Sequence, residues 1–372
     1  MSSPYHPEIS QVRAMPKTVA NPLGSTDAAE TILAIDIGAG TQDILVYDPE
    51  QTPENSFRLV MPSQTQIIGQ QIRRVTAAGR PLHLIGQVMG GGASTAAIKA
   101  HLDAGLAVTA TPSAARTIHN DPQRVRHFGV WITEESPRGA IEIELGDLDL
   151  DAIETALNAF DVELPERFAI AVQDHGVRVG QGNNDVRGDY LHWLVNSAGD
   201  LRRAAFLTPP EEMTRMQAVH LLAPGAIVMD TGAAAVLGAM RDPVVAQAAD
   251  EGAVLVNLGN MHTFATLVRQ DRVLGVFEHH TGGLDRDLLG RLVERLRYGE
   301  LTNREFRERF DGHGAVIADE YRSFSPFRFI AVTGPNRGIA TGLNWHQAAP
   351  YGDMMLTGAF GLVDGYLAAA GA

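Results

Sequence analysis

The chain has 372 residues, of which 45% are hydrophobic and none is cysteine, and its formal net charge is −14. The lack of cysteine excludes disulfides, thiolate catalysis, Cys-ligated zinc and iron–sulfur clusters. The acidic balance, without any basic run, argues against nucleic acid as a partner, so we expect a small-molecule substrate or a partner protein. We predict two or three domains and no membrane span, because no stretch reaches the about 20 apolar residues that a span requires.

The N-terminal segment, residues 1–30, contains several prolines and little hydrophobic periodicity, which predicts a flexible arm. It lacks a basic segment followed by an apolar run, so we predict a cytoplasmic protein. The fold is expected to start near Thr31, where residues 32–47 form two apolar strands joined by a glycine-containing turn.

This first turn has the composition of a phosphate site. Gly38 and Gly40 let the backbone approach an anion, Thr41 offers a hydroxyl, and Asp36 at the strand end can hold Mg²⁺ through water. The alternative is a β-hairpin with a plain glycine turn. A plain turn does not require Asp36 and Asp43 on either side of the glycines, so we favour the phosphate site.

A second glycine-rich loop precedes an alanine-rich helix near residues 96–105. The free N–H groups of a helix N-terminus favour an anion there. An ordinary strand-to-helix connection, with Ser94 or Thr95 as the N-cap, is an equally good interpretation. The surrounding segments alternate between strand and helix patterns, which predicts an α/β fold.

The strand predicted at residues 168–172 delivers Asp174 to its carboxyl end, where open α/β sheets place their chemistry. Asp174 is therefore a candidate catalytic base that takes a proton from an attacking hydroxyl or water. The alternative is a turn aspartate that caps the strand exit before Gly176.

From residue 226 the chain repeats its opening arrangement. A short strand leads to Asp230 and a helix of small residues, which predicts close packing against another backbone. Residues 252–268 then form two strands around a glycine-containing turn, followed by a third strand at 272–277. Such a duplication can close on one ligand from two sides, and a nucleotide is the natural ligand.

The order of these motifs resembles the superfamily of actin, heat-shock chaperone ATPases and sugar kinases. The resemblance implies an α/β fold of two duplicated actin-like (ribonuclease H-like) lobes, with mixed sheets flanked by helices and a cleft between them. It implies an N-terminal lobe with insertions over residues 31–225 and a C-terminal lobe over 226–372. The matching motifs are 36–43 and 257–266 for the phosphates, 330–338 for the adenosine, and 230–239 and 355–365 for the connecting helices.

The same resemblance implies ATP and Mg²⁺ as cofactors, with Asp36 and Asp43 at the metal and Asp230 as a catalytic residue that organises magnesium and water. Asp174, a candidate from its position at the strand end alone, would be the base. Asn257 stands where an acid is common, so no acidic role is carried over to that position. The residues expected to contact the nucleotide are Gly38, Gly40, Thr41, Gly259, Asn260 and Thr263 at the phosphates, and Gly334 and Asn336 at the nucleoside.

More narrowly, the chain is identified as a member of the pyruvate formate-lyase-activating-enzyme-related family. A radical-generating activase needs a cysteine-ligated cluster, which this chain lacks. Two functions remain. A Mg-ATP-dependent phosphotransferase or ATPase acting on a small molecule requires Asp36, Asp174 and Asp230 to converge on one cleft. A nucleotide-gated module that regulates a partner protein requires an exposed apolar patch and negligible turnover.

The adjacent histidines His279 and His280 do not predict a metal site. Neighbours on a strand face opposite sides, and no third ligand stands at a recognisable spacing. We interpret them as turn residues.

Overall fold

The computed structural model describes residues 31–178 and 180–371, with the backbone alone for Asn183. The predicted N-terminal arm lies outside the described residues. The strands are β1 (Ile32–Ile37), β2 (Thr41–Tyr47), β3 (Phe57–Pro62), β4 (Leu82–Gly86), β5 (Val108–Ala110), β6 (Val130–Ile132), β7 (Ile141–Leu145), β8 (Arg167–Val172), β9 (Ile227–Met229), β10 (Ala253–Leu258), β11 (His262–Arg269), β12 (Arg272–His280), β13 (Gly314–Ile317), β14 (Phe329–Thr333) and β15 (His346–Gln347).

The helices account for most of the remaining chain. They are α1 (Gln64–Ala77), α2 (Gly92–Asp103), α3 (Pro112–Ala115), α4 (Pro122–His127), α5 (Leu150–Asn158), α6 (Asn183–Trp193), α7 (Thr214–Leu222), α8 (Thr231–Ala239), α9 (Pro243–Glu251), α10 (Arg286–Arg297), α11 (Asn303–Phe310) and α12 (Thr357–Ala370). Within the described ranges, no helix combines the length and apolar character needed to cross a bilayer.

The first sheet has the strand order β3-β2-β1-β8-β9. Strands β1, β2 and β3 pair antiparallel, whereas β8 runs parallel to both β1 and β9. The central strands β1 and β8 read as continuous apolar runs because helices cover both faces of such a sheet. The β9 pairing places residues 227–229 with this first sheet, so it favours a lobe boundary after Met229 rather than at 225/226.

The second sheet has the order β13-β12-β11-β10-β14-β15 and repeats the first one. Strands β10, β11 and β12 pair antiparallel, and β10, β14 and β15 pair parallel. Each half therefore contains three antiparallel strands and two parallel ones on the other side of β1 or β10, and the second sheet adds β13 antiparallel to β12 at its edge. This is the ribonuclease H-like order, and its duplication confirms the predicted two-lobe actin-like fold.

A third sheet, with the parallel order β6-β5-β4-β7, lies between β3 and β8 in the chain. It has a hydrophobic core of its own, formed with α1, α2 and α3. The loop between β4 and α2 reaches from this inserted unit to the space between the two large sheets.

Helices α8 and α12 join the two halves. A side chain at Gly238 would overlap the carbonyl oxygen of Thr357, and one at Gly361 would overlap that of Ala234. The two backbones are therefore in direct contact, which only glycine permits at these positions. This confirms that the small-residue helix after Asp230 packs against another backbone.

Candidate functional site

A cavity of about 220 Å³ lies between the two lobes, where the β1–β2 and β10–β11 turns face each other. The turns touch, because a side chain at Gly40 would overlap the Asn260 amide. This volume lies below the roughly 300–1,000 Å³ of most ligand pockets. The predicted site residues that line the cavity are Asp36, Gly38, Thr41, Asp43, Gly259, Asn260 and Gly334.

The two turns are closed by the same hydrogen bond. The Gly38 N–H donates to the Thr41 carbonyl at 2.9 Å, and the Gly259 N–H donates to the His262 carbonyl at 3.0 Å. The first turn is thus a β-hairpin, as in the alternative interpretation, and it also lines the cavity with two carboxylates, as the phosphate interpretation requires.

Asp36 and Asp43 face each other across β1 and β2. One buried oxygen of each, Oδ1, has no hydrogen-bond partner within residues 31–178 and 180–371. Burial, with the nearby carboxylates of Asp43 and Asp230, raises the pKa of Asp36 well above its usual range. Burial also raises the pKa of Asp43 to about 7, against the hydrogen bond from Thr41. Two adjacent buried carboxylates with unpaired oxygens fit a hard cation such as Mg²⁺.

Asp230 lies beneath the cavity rather than in it. Its carboxylate is fully buried and forms a two-pronged ion pair with Arg187, with Nη–Oδ distances of 2.7 and 3.1 Å. Its Oδ1 also accepts the Gly232 N–H at 3.0 Å and caps α8. Because these partners occupy both oxygens, the contacts do not support Asp230 as a residue that organises magnesium and water.

Arg187 also binds Glu278, with Nε 2.6 Å from Oε2. Glu278 is fully buried, and both of these side chains line the cavity. Neither Arg187 nor Glu278 was singled out from the sequence. The available signal was an acid directly after the apolar run of β12, since a carboxylate at such a position needs a buried partner.

Asp174 does not converge with the cleft carboxylates. Its Oδ1 accepts the Gly176 N–H at 2.8 Å, and its Oδ2 accepts the N–H groups of Arg215 and Met216 at 2.7 and 3.0 Å. The Arg215 and Met216 N–H groups belong to the first turn of α7, which the carboxylate caps, and the Gly176 N–H belongs to the loop after β8. These contacts match the alternative of a turn aspartate at the strand exit and do not support a catalytic base.

Thr263 and Asn336, both predicted to contact the nucleotide, do not line the cavity. The Thr263 hydroxyl is buried 3.0 Å from that of Thr281, whereas its neighbour His262 lines the cavity. Alternate residues of a strand face opposite sides, so the expectation for Thr263 is off by one position. The Asn336 amide donates to the Gly259 carbonyl at 2.9 Å and holds the second turn in place.

Gly334 occupies a position where the chain must turn closely beside β10. Its φ is +96°, and a side chain there would lie 2.6 Å from the Asn257 Oδ1. A residue with a Cβ is strained at this angle and would also fill the cavity wall.

The second glycine-rich loop also reaches the cavity. The Arg215 guanidinium, paired with Asp147 at 2.6 and 2.8 Å, lies against Gly90, and the Gly90 N–H donates to Asp147 at 3.1 Å. Neither expected N-cap is used, since α2 begins at Gly92 and the Ser94 hydroxyl donates to the Gly91 carbonyl.

Three histidines surround Glu278 at one end of the cavity. His262 Nδ1 lies 3.0 Å from Glu278 Oε1, and His175 Nε2 lies 3.8 Å from the same oxygen. His313 completes the group. Burial lowers the pKa of His262, and it lowers that of His313 to about 3. Sequence reasoning missed this cluster because its members come from distant segments.

A known family matches most of this site. The family described as "Putative pyruvate format-lyase activating enzyme (DUF1786)" matches residues 89–339, more than half of the chain. The chain belongs to this family. The matched range contains Arg187, Glu278 and the three histidines, whereas Asp36 and Asp43 precede it. No curated protein matches the sequence.

Some solved structures resemble the chain at low sequence identity. EutJ, an ethanolamine utilization protein from Carboxydothermus hydrogenoformans, has 9% identity over 89% of this chain and 88% of its own, with a TM-score of 0.28. The PilM-PilN type IV pilus biogenesis complex has 13% identity over 91% and 99%, with a TM-score of 0.36. A Bacteroides thetaiotaomicron protein with actin-like ATPase fold and unknown function has 6% identity over 90% and 96%, with a TM-score of 0.34. These scores are low, so the fold assignment rests on the strand order of the chain itself.

Proposed function

We propose that the protein binds Mg²⁺-ATP between its two lobes. The observation that carries this proposal is the pair of unpartnered buried oxygens on Asp36 and Asp43, beside a glycine turn in the cavity. Asp36 and Asp43 would hold Mg²⁺. The turn amides, Thr41 and Asn260 would donate to phosphate oxygens, and the nucleoside would lie beside Gly334.

We further propose that nucleotide binding changes the angle between the lobes and that turnover is slow. The contact between Gly40 and Asn260 must break to admit ATP, so binding and lobe opening are coupled. Both acids expected to assist catalysis are engaged, Asp174 by backbone N–H groups and Asp230 by Arg187. This combination favours a nucleotide-gated module over an efficient kinase.

A partner protein would read the lobe angle. The inserted unit offers a surface for it, since Phe128 at the end of α4 and Trp131 in the edge strand β6 are 55% and 75% exposed. Exposed large aromatic side chains favour protein contacts.

A phosphotransferase or ATPase is the second candidate. It is favoured by a neighbouring cavity of about 280 Å³, which shares Gln173, Arg215 and His262 with the nucleotide cavity. Arg116, His119 and Arg215 in its wall suit an anionic small-molecule acceptor.

Calorimetric titration with ATP, with and without Mg²⁺, tests the proposal, with released phosphate assayed in the same samples. We expect saturable, Mg²⁺-dependent binding that weakens at least about tenfold in Asp36→Asn, because the metal loses a ligand. Asp364→Asn is the matched control, since Asp364 is also mostly buried but pairs with Arg241 away from the cleft. Absence of binding by the folded wild-type protein would refute the proposal, and fast phosphate release would favour the enzyme.

A further inference from the structure

The cluster around Glu278 has the composition of a metal centre. His175, His262, His313 and Glu278 each present one ligand atom, and these four atoms all lie within 4.8 Å of one another. We propose that they bind one divalent transition-metal ion. This site is separate from the Asp36–Asp43 pair and does not depend on the proposed nucleotide.

The orientation of His313 is the first argument. Its Nδ1 lies 3.0 Å from the Asn184 Oδ1, an acceptor, so the proton is on Nδ1 and the Nε2 lone pair is free. His313 is 3% exposed, and among the described residues its Nε2 has no hydrogen-bond partner. A buried acceptor without a partner destabilises the fold, and a metal ion at Nε2 would satisfy it.

The second argument is the spacing of the imidazole rings. The ring centroids are 5.1 Å apart for His175 and His262, 4.7 Å for His175 and His313, and 4.8 Å for His262 and His313. Imidazole nitrogens bind Zn²⁺ at about 2.0–2.1 Å in a tetrahedral arrangement, which places ring centres roughly 5 Å apart. Three rings at this mutual distance fit one shared ion.

The net charge of the buried side chains beside the cluster also favours a cation. The buried group of Arg187, Asp230 and Glu278 contains one guanidinium and two carboxylates, so one negative charge is uncompensated. Leaving a buried charge unpaired is costly. A divalent cation beside Glu278 supplies the missing positive charge.

The ligand set indicates which metal binds. Imidazole suits Zn²⁺, Fe²⁺, Ni²⁺ and Cu²⁺, whereas Mg²⁺ and Ca²⁺ prefer oxygen ligands. Three histidines with one carboxylate therefore point to a transition metal, and Zn²⁺ is the natural first probe. Hydrogen bonds to the ligands are also typical of metal centres, and here the Gln173 amide and Arg187 both donate to Glu278.

The four proposed ligands come from both lobes and lie beside the two cavities. His175 follows β8 of the first sheet, whereas His262, Glu278 and His313 belong to the second lobe, so the ion would link the lobes. His262 lines both the nucleotide cavity and its neighbour, and the His175 side chain is 26% exposed. Four protein ligands complete a tetrahedral site, which is the arrangement of structural rather than catalytic zinc centres.

Metal binding to the full, tag-free chain tests the proposal. After chelator treatment, the protein is titrated with Zn²⁺ without nucleotide, and in parallel with Co²⁺, whose visible absorption reports tetrahedral coordination. We expect one equivalent to bind. Affinity should fall at least about tenfold in His175→Ala, because a ligand is lost. His346→Ala is the matched control, since His346 is similarly exposed and lies 3.0 Å from Asp242, with no further ligand of a metal cluster described around it.

The outcomes separate the site from its alternatives. Lack of saturable Zn²⁺ binding by the folded wild type, or equal affinity in His175→Ala, would overturn the proposal. So would binding that is lost in Asp36→Asn and kept in His175→Ala, since the ion would then occupy the other carboxylates. If His175→Ala does not fold, the Zn²⁺ affinity of Asn184→Ala is compared with that of the wild type instead. This variant removes only the exposed acceptor that orients His313, and an affinity equal to the wild type would overturn the proposal.

Discussion

In the first hairpin Asp36 faces Asp43 across β1 and β2, whereas Asn257 and Phe264 occupy the same two positions in the second. The backbones of the two hairpins are otherwise alike. Both close with a glycine N–H donating to a carbonyl three residues later, and β1 and β10 have the same pattern of burial. The two hairpins therefore share one backbone plan, and only the first carries a facing pair of carboxylates.

The helix that follows each half contacts one of these two hairpins. Helix α8 places Gly232 against Phe264 of the second hairpin, and α12 places Gly358 against the Asp36 carboxylate of the first. Each helix thus packs through a glycine on the hairpin of the other half. The duplicated backbone provides the cleft, and a few side chains decide which hairpin presents carboxylates to it.

The buried charge network should produce the largest effect. Arg187→Met leaves Asp230 and Glu278 without their cation, and removal of one partner from a buried ion pair costs about 3–5 kcal/mol. We expect a matching loss in the free energy of unfolding, measured by urea denaturation. Arg178→Met is the control, because Arg178 makes exposed ion pairs with Asp189 and Glu212 and should leave the midpoint nearly unchanged. An equal response of the two variants would contradict this account.

The backbone contact between α8 and α12 should have the next largest effect on stability. Gly238→Ala forces apart the backbones of α8 and α12, and overpacking of this kind costs about 1–3 kcal/mol. We expect a lower melting temperature in scanning calorimetry. Gly282→Ala is the control, since nothing described lies within 4 Å of its added methyl group. A melting temperature unchanged in both variants would show that the halves do not depend on this contact.

The smallest effect concerns the charge that distinguishes the hairpins. The pKa of Asp43 is about 7 in the folded protein and near 3.8 unfolded, so the native state binds more protons between these values. Stability from this group is therefore complete below about pH 4 and is lost as the pH rises through 7. Asp43→Asn should flatten this decline, making the variant about 1 kcal/mol more stable than the wild type above pH 7 without Mg²⁺.

Melting temperatures measured from pH 5 to 8.5 check this, and Mg²⁺ should restore the wild type alone. Phe264→Leu is the control at the equivalent position of the second hairpin and should leave the pH dependence as it is. A wild-type stability that rises with pH over this range, and does so less in Asp43→Asn, would show that the carboxylate is ionised and stabilising instead.

The sequence by itself determined the two glycine hairpins, their α/β surroundings and the close packing of α8. These features depend on local periodicity and on the backbone freedom of glycine, which neighbouring residues reveal. Placing Asp36 and Asp43 in the cleft followed from the same local pattern.

Only the tertiary structure decided which polar side chains are free to bind a ligand or metal. Asp174 and Asp230 look alike in sequence, yet backbone N–H groups occupy one and Arg187 occupies the other. His279 and His280 end strand β12 and are not turn residues, and the His279 side chain contacts the Phe310 carbonyl. His175 and His313 meet at Glu278 from separate segments. Periodicity is a property of adjacent residues, whereas the pairing of buried charges and ligands depends on which distant strands pack together.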